Sequence, residues 1–515
     1  MSLVTLIVGP LCLYLVFLLF KFLHNVWWKP IELQKQMASQ GIKGPQYKFM
    51  YGSVNEMMQM KQSISRPMSL SHDIFPKVEP HYDHWINTYG KNFLFWFGPK
   101  PHLFVSEREL VREILNNKEK AYPKRDLISH TKKLIGNSLV SFEGEQWSNM
   151  RKLANHAFHG ETLKMNLVPE MVASGEMMLK RWKNHEGGEI EVFEEFKLFT
   201  SEVISRSAFG SNFVEGKDIF EKLRKVLTIA HRPPSSLWSS TISKILGTDG
   251  EKESQKLVSD MRSSILEIIR KREKTVMCGE AEDYGRDFLG LLLKAAHDAD
   301  ESKRITVENV IDECKGMYVA GQETTTNLLS WAILLLALNT DWQEEARKEV
   351  QNLFGDQNPH SDGVSKLKIM SMILNETLRL YPPAMGLIRK VNREIRLGNM
   401  NLPSTMNFYL PIISFHHDPE IWGEDVHLFK PDRFAEGVAK ATKNDASAFF
   451  PFGIGPRMCV GYNFALNEAK IALSMILQRY SFTLSPTYAH SPIQVLLLRP
   501  QHGVQIILQR LDNGN

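Results

Sequence analysis

Cysteine is scarce in this chain. Four are spread over 515 residues, at Cys12, Cys278, Cys314 and Cys459, and no two form a C-x-x-C pair. That spacing excludes a disulfide framework and a thiolate zinc site, and it suits a reducing compartment. Charge of one sign is also lacking. With 62 basic and 58 acidic residues the net charge is +4, which gives no argument for a nucleic-acid partner. No glycine-rich fingerprint joined to a strand–helix unit is present, so the chain carries no flavin or nicotinamide site of its own. Hydrophobic residues at 43% and charged residues at 23% are ordinary globular values, which argues against disorder and against a multi-span membrane protein. No linker divides the chain.

One long apolar run is present, at the start. Leu3 to Phe20, LVTLIVGPLCLYLVFLLF, has no charged residue and is long enough to span a bilayer. A cleaved signal peptide would have a shorter apolar region and a small-residue cleavage site. Lys21, Lys29, Lys35, Lys43 and Lys48 follow it, placing the downstream body on the cytosolic side, and Trp27 and Trp28 suit the membrane interface. The expected division is a transmembrane anchor over residues 1–24, a membrane-proximal hinge over 25–50 with Gly44-Pro45 as its stiff exit, and one globular domain over 51–515.

That domain reads as mainly α with a small β-rich region. Asn92 to Val105 predicts two aromatic strands around Gly98-Pro99-Lys100-Pro101. Helical spacing then dominates up to about residue 385. Glu145 to Phe158 carries Trp147 and Arg151 at i, i+4 on one face, two donors suited to a carboxylate. Glu161 to Ala295 is a run of amphipathic helices interrupted at Arg232-Pro233-Pro234. Val307 to Leu338 predicts the longest helix, opened by Thr306 as N-cap and uninterrupted by proline. Its apolar interior contains a polar island, Ala320 to Thr325 (AGQETT), which marks either a junction of two shorter helices or a functional pocket. Thr340 and Gln343 fit a capping box for the next helix. A further helix starts near Ser365, stops at Pro382-Pro383 and holds Glu376 and Arg379 at i, i+3. Leu387 to Val391 predicts a strand, and LRPQHG, between VLL and VQIIL, predicts a hairpin whose tip would touch substrate.

The most constraining stretch is Phe449 to Gly461, FFPFGIGPRMCVG. Glycines at 453, 455 and 461 allow a tight loop whose amides point at the Cys459 sulfur, holding a thiolate against a metal. The bland alternative is a glycine turn with an incidental buried cysteine.

Phe452, Gly455, Arg457, Cys459 and Gly461, spaced F-x-x-G-x-R-x-C-x-G, resemble the haem-binding loop of the cytochrome P-450 family, in which the cysteine is the axial thiolate of haem iron. Further motifs follow in the family's order. Trp147 and Arg151 resemble its propionate-binding helix. AGQETT resembles its oxygen-activation motif, with Ala320 and Gly321 giving close approach and Thr324 and Glu323 delivering protons. ETLR with Pro431-Asp432-Arg433-Phe434 resembles its structural lock of Glu376, Arg379 and Arg433. Arg389 matches a propionate contact. ETLRLYPP and FGIGPRMCVGYNFALNEAK look most like plant members of clan seventy-two.

The resemblance implies the P-450 fold with its N-terminal transmembrane helix, and a haem b cofactor with Cys459 as iron ligand. It implies a haem-thiolate monooxygenase on the cytosolic face of the endoplasmic reticulum. Electrons would come from NADPH through a flavoprotein reductase docked near Lys132, Lys133 and Lys152. The substrate would be a small apolar, terpenoid or hormone-like molecule, with no nucleic acid involved. Two rival readings are a haem-thiolate isomerase or dehydratase needing no external electrons, and a non-enzymatic haem sensor.

Overall fold

A single helix from Val307 to Leu338, 32 residues and about 48 Å long, runs through the centre of the protein. The computed structural model describes the chain except residues 1–2, 65, 119, 126–131, 133, 211–212, 231–248, 446 and 512–515. Arg232-Pro233-Pro234 and Lys133 therefore lie outside the described residues. The long helix opens on the expected Thr306: its hydroxyl accepts the Asn309 N–H and the Asn309 side chain accepts the Thr306 N–H, each at 3.1 Å. From Leu328 to Ala337 the helix is buried on every side, as an uninterrupted apolar run requires. Val192–Phe209, Lys368–Leu380 and Tyr462–Leu477 are among the helices that pack on it. The polar island is not a junction, because the helix continues through it.

Two helix starts differ from the sequence expectation. The helix after the long one runs from Thr340 to Phe354 with Asn339 as N-cap and no side-chain capping bond. Gln343 does not turn back to cap it. Its buried amide donates to Phe482 O at 2.9 Å and to Leu336 O at 3.2 Å, while its Oε1 accepts the Phe482 N–H at 3.1 Å. Satisfying the backbone of a buried strand outweighs a local cap. The helix expected near Ser365 begins at Lys368, where Glu349 of the preceding helix accepts the N–H groups of Lys368, Ile369 and Met370 at 2.6, 2.8 and 3.0 Å. That cap comes from a distant residue, so local sequence does not signal it.

The β-rich part is a four-stranded sheet. Strands Asn92–Phe97 and Lys100–Val105 pair antiparallel about Gly98, with Phe97 opposite Lys100. Lys100–Val105 then pairs in parallel with Asn407–Pro411, which pairs antiparallel with Gly386–Lys390. LRPQHG is not a hairpin. Leu498–Pro500 pairs with Pro492–Gln494, whereas Gln505–Arg510 joins Tyr480–Leu484 and Glu189–Glu191 in a separate sheet. The two halves of the expected hairpin thus belong to different sheets.

At the N-terminus, Val8–Ser39 is the helical stretch long and apolar enough to cross a membrane, with mean hydropathy 1.6 over its best window. Leu3–Leu23, the π-helical turn His24–Trp28 and Lys29–Ser39 follow one another without a break. Leu13 and Val16 are exposed, but Leu33 and Met37 are buried in the cluster that covers one face of the four-stranded sheet. The Gly44-Pro45 step is docked there as well: Leu94 N–H donates to Lys43 O at 2.9 Å, and a Cβ on Gly44 would lie 1.8 Å from Leu94 O.

Candidate functional site

The loop Phe449–Gly461 closes on itself through backbone bonds. Cys459 N–H donates to Phe452 O at 2.9 Å, and Gly453 N–H to Phe450 O at 2.8 Å. Gly453 and Gly455 have φ of +72° and +75°, and a Cβ on Gly455 would sit 2.6 Å from Leu115 O. Gly455 therefore answers both to conformation and to the close backbone of a neighbouring helix. Gly461 has φ of −87° and acts as N-cap residue of the helix Tyr462–Leu477. The Cys459 sulfur thus lies beside a helix N-terminus, where negative charge is stabilised. Burial pushes its thiol up, while the Gly461 N–H, Arg151 and Lys124 pull it down. The accessible face of Cys459 opens into an internal cavity.

That cavity has an empty volume of about 1430 Å³, its mouth included, and is walled mostly by apolar side chains. Phe452, Phe158 and Phe464 contribute aromatic walls, and Pro383, Ala384 and Leu387 line it from the segment after the Lys368–Leu380 helix. The long helix contributes Ala320, Gly321, Thr324, Thr325 and Leu328. Thr324 Oγ1 donates to Ala320 O at 2.7 Å. Glu323 occupies the adjacent helical position and does not line the cavity. Gly321 makes room for a side chain: a Cβ there would fall 2.6 Å from Ile204 Cδ1, itself a wall residue.

One edge of the cavity is cationic. Arg151 and Trp147 lie on the helix Gly144–Phe158, Arg457 on the cysteine loop, and Lys124 and Arg389 face each other in an isolated β-bridge. Arg457 sits over the Trp147 ring at 4.1 Å, donates to Phe142 O at 2.8 Å and pairs with Glu143. Arg151 donates to Met458 O and to Asn155 Oδ1. Both arginines therefore tie the loop to that helix. Arg389 is buried just behind the lining, with Nη1 donating to Ile388 O at 2.9 Å. Burial and then mutual repulsion depress this group: Lys124 falls to about 7, pushed by Arg389 and Arg457, and Arg389 to about 10, pushed by Arg457. Glu143 is the carboxylate opposing them, so the edge is short of negative charge and suited to an anionic ligand.

Behind the loop lies a buried ionic network. Glu376 and Arg379 are both fully buried and joined by two bonds, at 2.7 and 2.8 Å. Glu376 Oε1 also accepts the Lys430 N–H at 3.0 Å and lies 3.5 Å from Arg433 Nε. Arg433 further donates to Trp422 O and Asp425 O, at 2.7 and 2.6 Å. Arg379 donates to His416 O at 2.9 Å, and the His416 ring accepts the Phe450 N–H at 3.2 Å. One continuous path thus links Glu376 to the start of the cysteine loop.

Sequence reasoning missed several polar groups here. Lys124 had only an adjacent arginine as a signal, and its role depends on a β-bridge to residue 389. Glu313 and Ser138 also line the cavity. Glu313 sits two turns before AGQETT on the same helical face, a spacing that could have revealed it. Lys132 and Lys152 are exposed.

The Cytochrome P450 family model matches residues 77–508. Cytochrome P450 CYP749A22 of Panax ginseng is 55% identical over 508 residues, covering 98% of this chain and 97% of the relative. The 7-deoxyloganic acid hydroxylase of Catharanthus roseus is 39% identical over 99% of both chains. The 11-oxo-beta-amyrin 30-oxidase of Glycyrrhiza uralensis is 40% identical, over 95% of this chain and 94% of the relative.

Proposed function

From the premise that this chain belongs to the cytochrome P450 family and is a P450 monooxygenase, we propose that it oxidises a terpenoid or hormone-like C–H bond inside the cavity lined by Cys459. The observation that carries this is the pairing of a sulfur at a helix N-terminus with a cationic edge and an apolar wall, all in one cavity. Bound there, a haem supplies dioxygen activation, with one oxygen atom going to substrate and the other to water. The donor set fits it: Cys459 would ligate the iron, and Trp147, Arg151, Arg389, Arg457 and Lys124 would hold its two carboxylates. Phe452, whose carbonyl accepts the Cys459 N–H, adds an aromatic wall, and the positive φ of Gly455 keeps the loop tight.

The chain's own residues have separable tasks. Cys459 would ligate the iron through its sulfur; the Gly461 N–H, Arg151 and Lys124 favour its thiolate against the burial that raises the thiol. Ala320 and Gly321 keep the long helix thin where it borders the cavity, and Thr324, its hydroxyl on Ala320 O, is placed to pass a proton into it. Glu323 lies on the neighbouring face and recharges that path instead of touching the substrate. Glu376, Arg379 and Arg433 lock the loop through His416 and Phe450. The N-terminal helix anchors the protein in the endoplasmic reticulum with the domain facing the cytosol. Electrons come from NADPH through a flavoprotein reductase that docks on the face bearing Lys132 and Lys152. The names of the hydroxylase and oxidase relatives support an oxygenated terpenoid as substrate class.

The test is NADPH- and reductase-dependent oxygen consumption in microsomes across a panel of terpenoids and steroids, with haem spin-state shifts as the binding readout. Product formed without NADPH would instead favour an isomerase. Haem binding without turnover on any compound would favour a sensor.

A further inference from the structure

The cavity wall carries two polar groups that the haem-side chemistry leaves unused. Among the described residues lining it, Glu313 is the only carboxylate. It is 1% exposed and among the described residues pairs with no cation, neighbouring Lys315 being held by Asp312 at 2.6 Å. Its Oε1 accepts the Leu139 N–H at 2.5 Å, and among the described residues Oε2 takes no hydrogen bond. Beside it lies Ser138, fully buried, whose hydroxyl has no partner among the described residues. The missing Cβ of Gly316 would fall 2.9 Å from that hydroxyl, so glycine on the facing helix leaves it room. A buried hydroxyl and a carboxyl oxygen left open are costly unless something satisfies them.

Both groups are also fixed in place. The stretch Gly136 to Leu139 is pinned to the long helix by two consecutive carboxylates, Asp312 accepting the Asn137 N–H at 2.7 Å and Glu313 the Leu139 N–H. Gly136 has φ of +60°, and a Cβ there would lie 2.0 Å from Asp312 Cγ. Such a rigid pair is preorganised for a ligand. Along the helix, Glu313 stands roughly 10 to 16 Å from the Ala320–Thr324 stretch at 1.5 Å per residue.

We propose that Ser138 and Glu313 form a polar subsite that binds a hydroxyl or keto oxygen of the substrate, far from the carbon that is oxidised. This rests on the reading of the cavity as the monooxygenase site. Burial raises the Glu313 carboxyl to about 8, so at neutral pH it is uncharged and both donates and accepts. A neutral oxygen needs no counter-charge there. The substrate is therefore an already oxygenated apolar skeleton, and the reaction class preceding this enzyme is one that leaves an alcohol or ketone on it.

The test uses the haem-loaded protein and N-alkylimidazoles of increasing chain length, each made in two forms, one ending in methyl and one in hydroxyl. The imidazole nitrogen anchors each probe on the iron, and the Soret shift reports its dissociation constant without any turnover. In the wild type the hydroxyl form should gain about 5-fold relative to the methyl form at one chain length, the size of one net hydrogen bond. E313L and S138A should lose that gain, and E313Q, which still donates and accepts, should retain it. Equal ratios at all lengths, or a gain that survives both E313L and S138A, overturn the subsite alone. No Soret shift with either probe overturns the haem reading beneath it.

Discussion

Replacing Glu376 by alanine removes, among the described residues, the only carboxylate paired with a guanidinium that has no access to solvent. Arg379 is fully buried and takes both of its Glu376 bonds at 2.7 to 2.8 Å. Breaking a buried pair by deleting one partner costs about 3–5 kcal/mol, because the remaining charge stays buried. That is a large share of the ~5–15 kcal/mol that holds a domain together. The same change frees the Lys430 N–H and weakens Arg433, so the turn Pro431–Phe434 should loosen first. Urea unfolding followed by tryptophan fluorescence measures the first effect, and the reduced carbon monoxide-bound spectrum measures loss of the thiolate-ligated haem. The double variant E376A/R379M should recover much of the loss, since it removes the orphaned charge. R433M should cost less, about 1–2 kcal/mol, because its neighbour Asp425 keeps the alternative partner Lys430. A loss below about 1 kcal/mol for E376A, or no recovery in the double variant, would refute the argument that an uncompensated buried charge sets the cost.

Cys459→Ser should abolish the thiolate signature of the carbon monoxide complex, and a retained band would exclude Cys459 as the ligand. Thr324→Ala should keep haem yet divert electrons to peroxide; unchanged coupling of NADPH use to product would remove the hydroxyl from proton delivery. Removing residues 1–24 should release the protein from membranes with its haem, as sedimentation and absorbance would show, and a truncated form still membrane-bound would point to a second inserted surface. Acid should destabilise the fold. Burial depresses His102 and His416 to about 3 and His72 and His490 to about 4, so below pH ~6.5 the unfolded chain binds more protons than the folded one. Stability is complete above that pH and should fall by about 2 kcal/mol per histidine by pH 5, read as a drop in the urea midpoint. Glu313 and Glu79, raised by burial from 4.5 to about 8 and 7, act oppositely: their contribution is complete below 4.5 and is lost as pH rises to those values, so E313Q should flatten the fall between pH 4.5 and 8.

The features legible in the sequence were those with local periodicity or fixed spacing. Thr306 opens the long helix because a capping residue and its partner three positions on are neighbours in the chain, and the Leu328–Ala337 run could only be interior. Cys459 stood out through its glycines, and Gly455 meets a real steric demand from Leu115 O. What sequence could not reveal depended on partners distant in the chain. Glu349 caps a helix that starts 19 residues later, and Gln343 serves Phe482, 139 positions away. Neither Lys124 nor Ser138 has a neighbouring residue that discloses a cavity. Glu323 shows what a motif leaves open: it stands next to Thr324 in the sequence, but about 100° of helical rotation separates them, so Thr324 lines the cavity and Glu323 does not.

The unbroken helical course from Leu3 to Ser39 bears on how a soluble version should be cut. Leu33 and Met37 are part of the packing beneath the four-stranded sheet, so the rod is a structural member at one end and, at the other, a stretch long and apolar enough to cross a membrane. A cut placed after residue 24 keeps Val26, whose carbonyl accepts the Tyr47 hydroxyl, and Trp27, whose ring packs on Tyr47 and Phe49. Moved past Leu33, it would open a hole under the sheet and expose Leu94, Trp96 and Phe408, turning a solubility problem into an aggregation problem.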